Sequence, residues 1–124
     1  MKFIHAILRV KPEKAELYEK TFREFRAKVL ENEPGVPVFE LCKDAEVPYG
    51  YRCFEGYKDL DAIQTHVAKD YYHAAARIFV ECLEGDHMEE IVRRGLTGRE
   101  MYALVRSVCR KSRECVRNAG GHSS

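Results

Sequence analysis

Along the first ten residues apolar side chains fall into two interleaved sets. Ile4, Ala6, Leu8 and Val10 share one face of an extended segment, and Phe3, His5, Ile7 and Arg9 share the other. Both sets carry apolar residues, which predicts a strand covered on both sides rather than one facing water. Pro12 suits the first position of a helix, where its missing N–H costs nothing. Leu17, Tyr18, Phe22, Phe25 and Val29 then recur at helical spacing to about Asn32, and Pro34-Gly35 ends the run. Val36 to Lys43 and Tyr51 to Lys58 predict a second and a third strand, joined by the turn-rich stretch 44–50. Asp59 is a good N-cap for a helix whose apolar face is Leu60, Ile63 and Val67. Asp70 restarts or kinks it, and Ala75, Ile78, Phe79 and Cys82 form the next apolar face. Asp86 and Glu89 have capping-box spacing before a short helical turn with Met88, Ile91 and Val92, which Arg93-Arg94-Gly95 closes. Met101 to Val108 predicts the last strand.

The order is strand, helix, strand, strand, helical region, strand. That is the β-α-β-β-α-β arrangement of an α+β, ferredoxin-like sandwich. Residues 1–108 form the expected domain, and 109–124 a basic C-terminal tail. One sheet face takes the helices. The other also needs cover, and a second copy of the chain is the simplest source, so a homodimer is expected.

Composition narrows the function. The chain has 124 residues, 21 Lys and Arg against 20 Asp and Glu, and a net charge of +1. This balance removes the main argument for a nucleic-acid partner or a basic membrane surface. It also hides an uneven distribution: the tail carries +3 and the body −2. No run reaches the roughly 20 apolar residues of a membrane span. The N-terminal apolar run lacks a small-residue cleavage site, which argues against a signal peptide. Cys42, Cys53, Cys82, Cys109 and Cys115 form no CxxC pair and no zinc spacing. An odd set of cysteines without an export signal points to a reducing cytoplasm. Cys42 and Cys53 lie equally far from the middle of their loop. A cross-strand disulfide and two small buried thiols are the two readings, and the compartment favours thiols.

The chain resembles the antibiotic biosynthesis monooxygenase family of dimeric α+β-barrel proteins, which includes small quinol monooxygenases. The resemblance covers roughly residues 3 to 108. It is carried by Leu8-Arg9-Val10-Lys11-Pro12-Glu13-Lys14 at the strand-to-helix junction and by Glu33-Pro34-Gly35 followed by Phe39-Glu40-Leu41. Tyr51 to Asp59, with Glu55 and Tyr57-Lys58-Asp59, and Leu60 to Ala68, with His66, complete it. The resemblance implies oxidation of a small aromatic or quinol-type substrate by O2, with no metal and no other cofactor. A base would remove a phenolic proton, and the anion would pass an electron to O2 in a dry pocket between sheet and helices. Such chemistry asks for a base, donors for the oxyanion and apolar walls. Haem-degrading relatives carry Trp at the end of the third strand and Asn on the first. Here those places hold Tyr57 and His5, which argues against haem degradation.

Three histidines are the candidate catalytic groups. His5 lies mid-strand among apolar neighbours, where a polar ring needs a partner. His66 borders the apolar stripe of its helix. His73 follows Tyr71 and Tyr72 near a helix N-terminus, which favours an anion. Tyr57, Tyr72 and Phe39 are the candidate substrate-binding residues. Arg9, Arg52 and Arg77 could bind a substrate carboxylate. His87 and His122 read as solvent residues. No metal site is expected of these histidines. The lack of an unambiguous catalytic motif leaves two alternatives: a non-catalytic ligand-binding or interaction dimer of the same fold, and an isomerase with a histidine base.

Overall fold

A computed structural model describes residues 1–84 and the backbone of 89–93. Strand β1 (Lys2–Arg9) leads through a 3-10 turn at Pro12–Lys14 into helix α1 (Ala15–Asn32). Strands β2 (Val38–Lys43) and β3 (Gly50–Tyr57) follow, then helices α2 (Leu60–Val67) and α3 (Asp70–Cys82), then strand β4 (Glu89–Arg93). The sheet order is β2-β3-β1-β4, with β1 antiparallel to both β3 and β4 and β2 antiparallel to β3. This is the expected ferredoxin-like topology.

The register decides which side chains share a face. Ala6 stands opposite Cys53 and Leu8 opposite Tyr51, while Leu41 stands opposite Cys53 and Phe39 opposite Glu55. Ala6, Leu8, Val10, Phe39, Leu41, Tyr51, Cys53 and Tyr57 therefore face the helices. They form one core with Tyr18, Phe22, Phe25 and Val29 of α1 and Ala75 and Cys82 of α3. The opposite face carries Phe3, His5, Val38, Cys42 and Phe54, all buried. The two-sided burial expected of β1 is thus present.

Several junctions are fixed as the sequence suggests. The Asp59 carboxylate accepts the Ala62 N–H at 2.9 Å and caps α2. Glu33 ends α1, with its own N–H bonded to the Val29 carbonyl at 2.8 Å. The Lys11 N–H donates to the Cys82 carbonyl at 2.8 Å and the Glu84 N–H to the Arg9 carbonyl at 2.9 Å, which ties the end of α3 to the end of β1.

Other expectations are corrected. Glu89–Arg93, read as part of a helical turn, is a strand: it pairs with β1 from Phe3 opposite Arg93 to Ile7 opposite Glu89. The open edge of β1 supplies a ladder that outweighs the local capping signal. The predicted strand at 101–108 and the tail at 109–124 lie outside the described residues. On α2 the expected stripe is wrong by part of a turn. Leu60 is 57% exposed and Val67 39%, whereas His66 is 2% exposed and Ala62 and Ile63 pack on the core. Cys42 stands opposite Arg52 and Cys53 opposite Leu41, so the two cysteines occupy opposite faces and do not bond to each other. Cys53 is a free buried thiol.

Candidate active site

Among the described residues the helix side of the sheet encloses one histidine, His66. Four rings surround it: Tyr72 with a centroid at 5.2 Å, and Phe25, Phe39 and Tyr57 each at 5.5 Å. They come from α3, α1, β2 and β3, so every layer of the helix side contributes a wall. A buried imidazole needs a polar partner, and Glu33 supplies it. His66 Nδ1 lies 2.9 Å from Glu33 Oε1, with both side chains 2% exposed.

Glu33 reaches His66 because of how the chain leaves α1. The turn through Pro34 and Gly35 carries the backbone directly beneath α2. A Cβ added at Gly35 would lie 2.9 Å from Ala62 Cβ, closer than such atoms approach. Glycine here lets α2 settle against the turn. The Lys58 N–H donates to the Gly35 carbonyl at 2.8 Å and locks the same corner from the sheet side.

Two carboxylate–phenol pairs flank the imidazole. The Tyr71 hydroxyl donates to Glu33 Oε2, and the Tyr57 hydroxyl donates to Glu55 Oε1. Burial, then the Glu55 charge and hydrogen bond, push the Tyr57 phenol far above its ordinary range. Burial and the Glu33 hydrogen bond raise Tyr71 in the same way. The Cys53 thiol is also pushed well up, first by burial and then by the Glu55 and Glu40 charges. These groups therefore stay protonated at neutral pH. They act as hydrogen-bond donors, and Cys53 is not a nucleophile.

Of the expected site residues, the structure brings together His66, Tyr57, Tyr72 and Phe39. It separates the other two histidines from them. His5 lies on the opposite sheet face, stacked on Phe54 at 4.6 Å with Arg52 Nη1 3.4 Å from its Nε2. Both faces of β1 are apolar, so parity alone could not say which one meets the helices. His73 is exposed at the surface of α3, because its neighbour Tyr72 takes the inward position. Arg9 and Arg77 are exposed, and Arg52 pairs with Asp44 at 3.2 Å, so none of the three arginines serves the imidazole. Among the described residues no three His, Cys, Asp or Glu side chains converge as metal ligands. Glu33, Tyr71 and Phe25 are the site residues that sequence reasoning missed. Glu33 stood in the quoted Glu33-Pro34-Gly35 motif, but nothing in its spacing pointed to His66.

A concavity of about 520 Å³ lies between the start of α1 and the β2–β3 connection, lined by Glu16, Glu19, Lys43, Asp44, Tyr49 and Tyr51 among others. Its polar groups satisfy one another: the Tyr51 hydroxyl donates to Glu19 Oε2 at 2.5 Å, and Lys43 Nζ lies 3.6 Å from the same oxygen. It shares no residue with the histidine site.

The sequence profile of the antibiotic biosynthesis monooxygenase family matches residues 1–78, and the chain belongs to that family. Its fold is similar to that of a Caulobacter crescentus protein named for the same family, at 30% identity and a TM-score of 0.73, over 77% of this chain and 90% of that one. A Bacteroides thetaiotaomicron protein matches at 22% identity and a TM-score of 0.71, over 77% and 90% of the two chains. A Nitrosomonas europaea protein matches at 20% identity and a TM-score of 0.70, over 78% and 100%. The last two show the fold alone. No functionally curated protein matches the chain significantly. Among the described residues no helix is long and apolar enough to cross a membrane.

Proposed function

We infer that the protein is a cofactor-independent monooxygenase that oxidises a small aromatic, quinol-type substrate with O2. The observation that carries this reading is a single histidine, backed by a carboxylate and walled by aromatic rings, between the sheet and the helices of a family fold. His66 takes a phenolic proton and leaves a phenolate. The phenolate passes one electron to O2, and the resulting radical pair joins as a peroxide. Loss of water leaves one oxygen atom in the product, so that a hydroquinone and O2 give a hydroxyquinone and H2O. Phe25, Phe39, Tyr57 and Tyr72 supply aromatic walls that exclude water and stack on the substrate ring. In this reading the chain works as a homodimer in the cytoplasm. The dimer draws on the small size of the domain; the second sheet face does not call for it, because its apolar side chains are already buried within one chain.

The test is oxygen uptake with a panel of hydroquinones, followed by mass analysis of products formed under labelled O2. The reading predicts uptake with one labelled oxygen atom per product. Turnover that continues without oxygen would replace it with the histidine-dependent isomerase.

One observation favours a second reading, a non-catalytic binding or interaction dimer. His66 is only 2% exposed, and four aromatic rings stand around it. No uptake with any quinol and no ligand-induced shift of the His66 signals would favour this second reading.

A further inference from the structure

We propose that Glu33 is a positioning residue that holds His66 in the tautomer protonated at Nδ1, leaving Nε2 bare as the base. This rests on the reading of His66 as the group that takes the substrate's proton. Three observations carry it. First, the contact is made by Nδ1: it lies 2.9 Å from Glu33 Oε1. An ionised carboxylate only accepts hydrogen bonds, so the nitrogen facing it carries the hydrogen. Nε2 makes no hydrogen bond among the described residues and is left as the ring's lone-pair nitrogen.

Second, Glu33 is itself held at three points. Its N–H donates to the Val29 carbonyl at 2.8 Å and its carbonyl accepts from the Val36 N–H at 3.1 Å. Its second carboxylate oxygen, Oε2, accepts from the Tyr71 hydroxyl. With backbone and side chain both fixed, only Oε1 is left for the imidazole. Third, the ring cannot turn over freely. Phe25 lies nearly parallel to it, at an interplanar angle of 30°, while Phe39, Tyr57 and Tyr72 meet it edgewise. A ring flip would put the Cδ2 carbon where Nδ1 meets Glu33, breaking that hydrogen bond, and would swing the ring through those walls.

The arrangement assigns separate tasks to the two ends of the imidazole. Glu33 defines the tautomer and stabilises the imidazolium that forms when Nε2 takes a proton. Tyr71 keeps Glu33 aligned. Neither touches substrate.

The test reads the nitrogens directly. Long-range 1H–15N correlation spectra of 15N-histidine-labelled full-length protein, recorded at the pH of fastest turnover or at neutral pH, report which ring nitrogen of His66 is protonated. The expected result is Nδ1 protonated and Nε2 bare in the wild type. Glu33→Gln, whose amide can either accept or donate, gives a tautomer mixture and a kcat about 10- to 100-fold lower with KM little changed. Tyr71→Phe retains the wild-type tautomer. A wild-type ring protonated at Nε2, or at both nitrogens, overturns the proposal, as does a Glu33→Gln protein with unchanged tautomer and unchanged kcat. The spectra need no substrate. A chain inactive towards every quinol but protonated at Nδ1 would refute the monooxygenase reading while leaving the Glu33 assignment intact.

Discussion

Glu33 and His66 stand 33 positions apart in the chain and 2.9 Å apart in the fold. One is the last residue before a turn and the other points inward from a two-turn helix, and the glycine between the turn and the helix lets them meet. The buried polar centre therefore depends on close packing at the corner where Gly35 meets Ala62.

That dependence predicts the effect of Gly35→Ala. The added methyl would press on Ala62 Cβ at 2.9 Å and push α2 away from the turn. The expected cost is about 1–3 kcal/mol of stability, as for other overpacking changes. Urea unfolding measures it, and the His66 imidazole signals should shift in the same variant. An unchanged midpoint would mean that α2 can retreat without loss.

Phe25 contacts the rings of Phe39, His66, Tyr71, Tyr72 and Phe79, all with centroids within 6.1 Å. Phe25→Ala removes the ring that joins α1, α2, α3 and β2. We expect a loss of about 3–5 kcal/mol, in the range for large-to-small changes in cores. Phe25→Leu should cost clearly less, because it leaves a smaller void. Both are checked by chemical denaturation.

Tyr57→Phe keeps the ring and removes the hydroxyl that donates to Glu55. Glu55 then loses a charge-assisted bond inside a half-buried setting, at an expected cost of about 1–3 kcal/mol. The aromatic wall of the site survives, so the ring contact with His66 at 5.5 Å should persist. Thermal unfolding and aromatic NMR contacts test the two halves of this expectation separately.

Alkaline pH should unfold the protein, and the direction follows from three phenols. Tyr18, Tyr57 and Tyr71 are all raised above the ordinary phenol value, in each case first by burial. The folded state thus holds these protons more tightly than the unfolded state. Below about pH 10 both states are protonated and stability does not respond to these groups. Above it the unfolded chain releases protons that the folded one keeps, and stability falls as pH rises. Absorbance near 295 nm should show these three phenols titrating only together with loss of near-ultraviolet circular dichroism. Complete phenol titration with that dichroism intact would contradict the burial described here.

The fold was largely legible in the sequence, and the histidine site only in part. Alternation in β1 and the Phe22, Phe25, Val29 stripe of α1 are repeating patterns, and Asp59 is a local cap, so each can be read within a few residues. The inward face of α2 could not be found in this way. Its best apolar spacing picks Leu60 and Val67, but the helix is short and turns His66 inward because Glu33 waits there. That partner comes from another element, and periodicity carries no information about it. β4 shows the same limit. Its local capping signal is helical, and the strand exists because β1 offers an unpaired edge. His5 was ambiguous for a third reason: β1 is apolar on both faces, so alternation identifies the faces without saying which one the helices cover.

The central claim is that chemistry occurs at His66 and not at His5 or His73. Oxygen uptake with the best hydroquinone should be compared for the wild type, His66→Gln, His5→Ala and His73→Ala, with folding of each checked by circular dichroism. The account predicts that His66→Gln loses about 100-fold or more in kcat, the scale expected for a removed general base. His5→Ala and His73→Ala should retain wild-type kcat within about threefold. A folded His66→Gln protein with wild-type oxygen uptake would contradict the account.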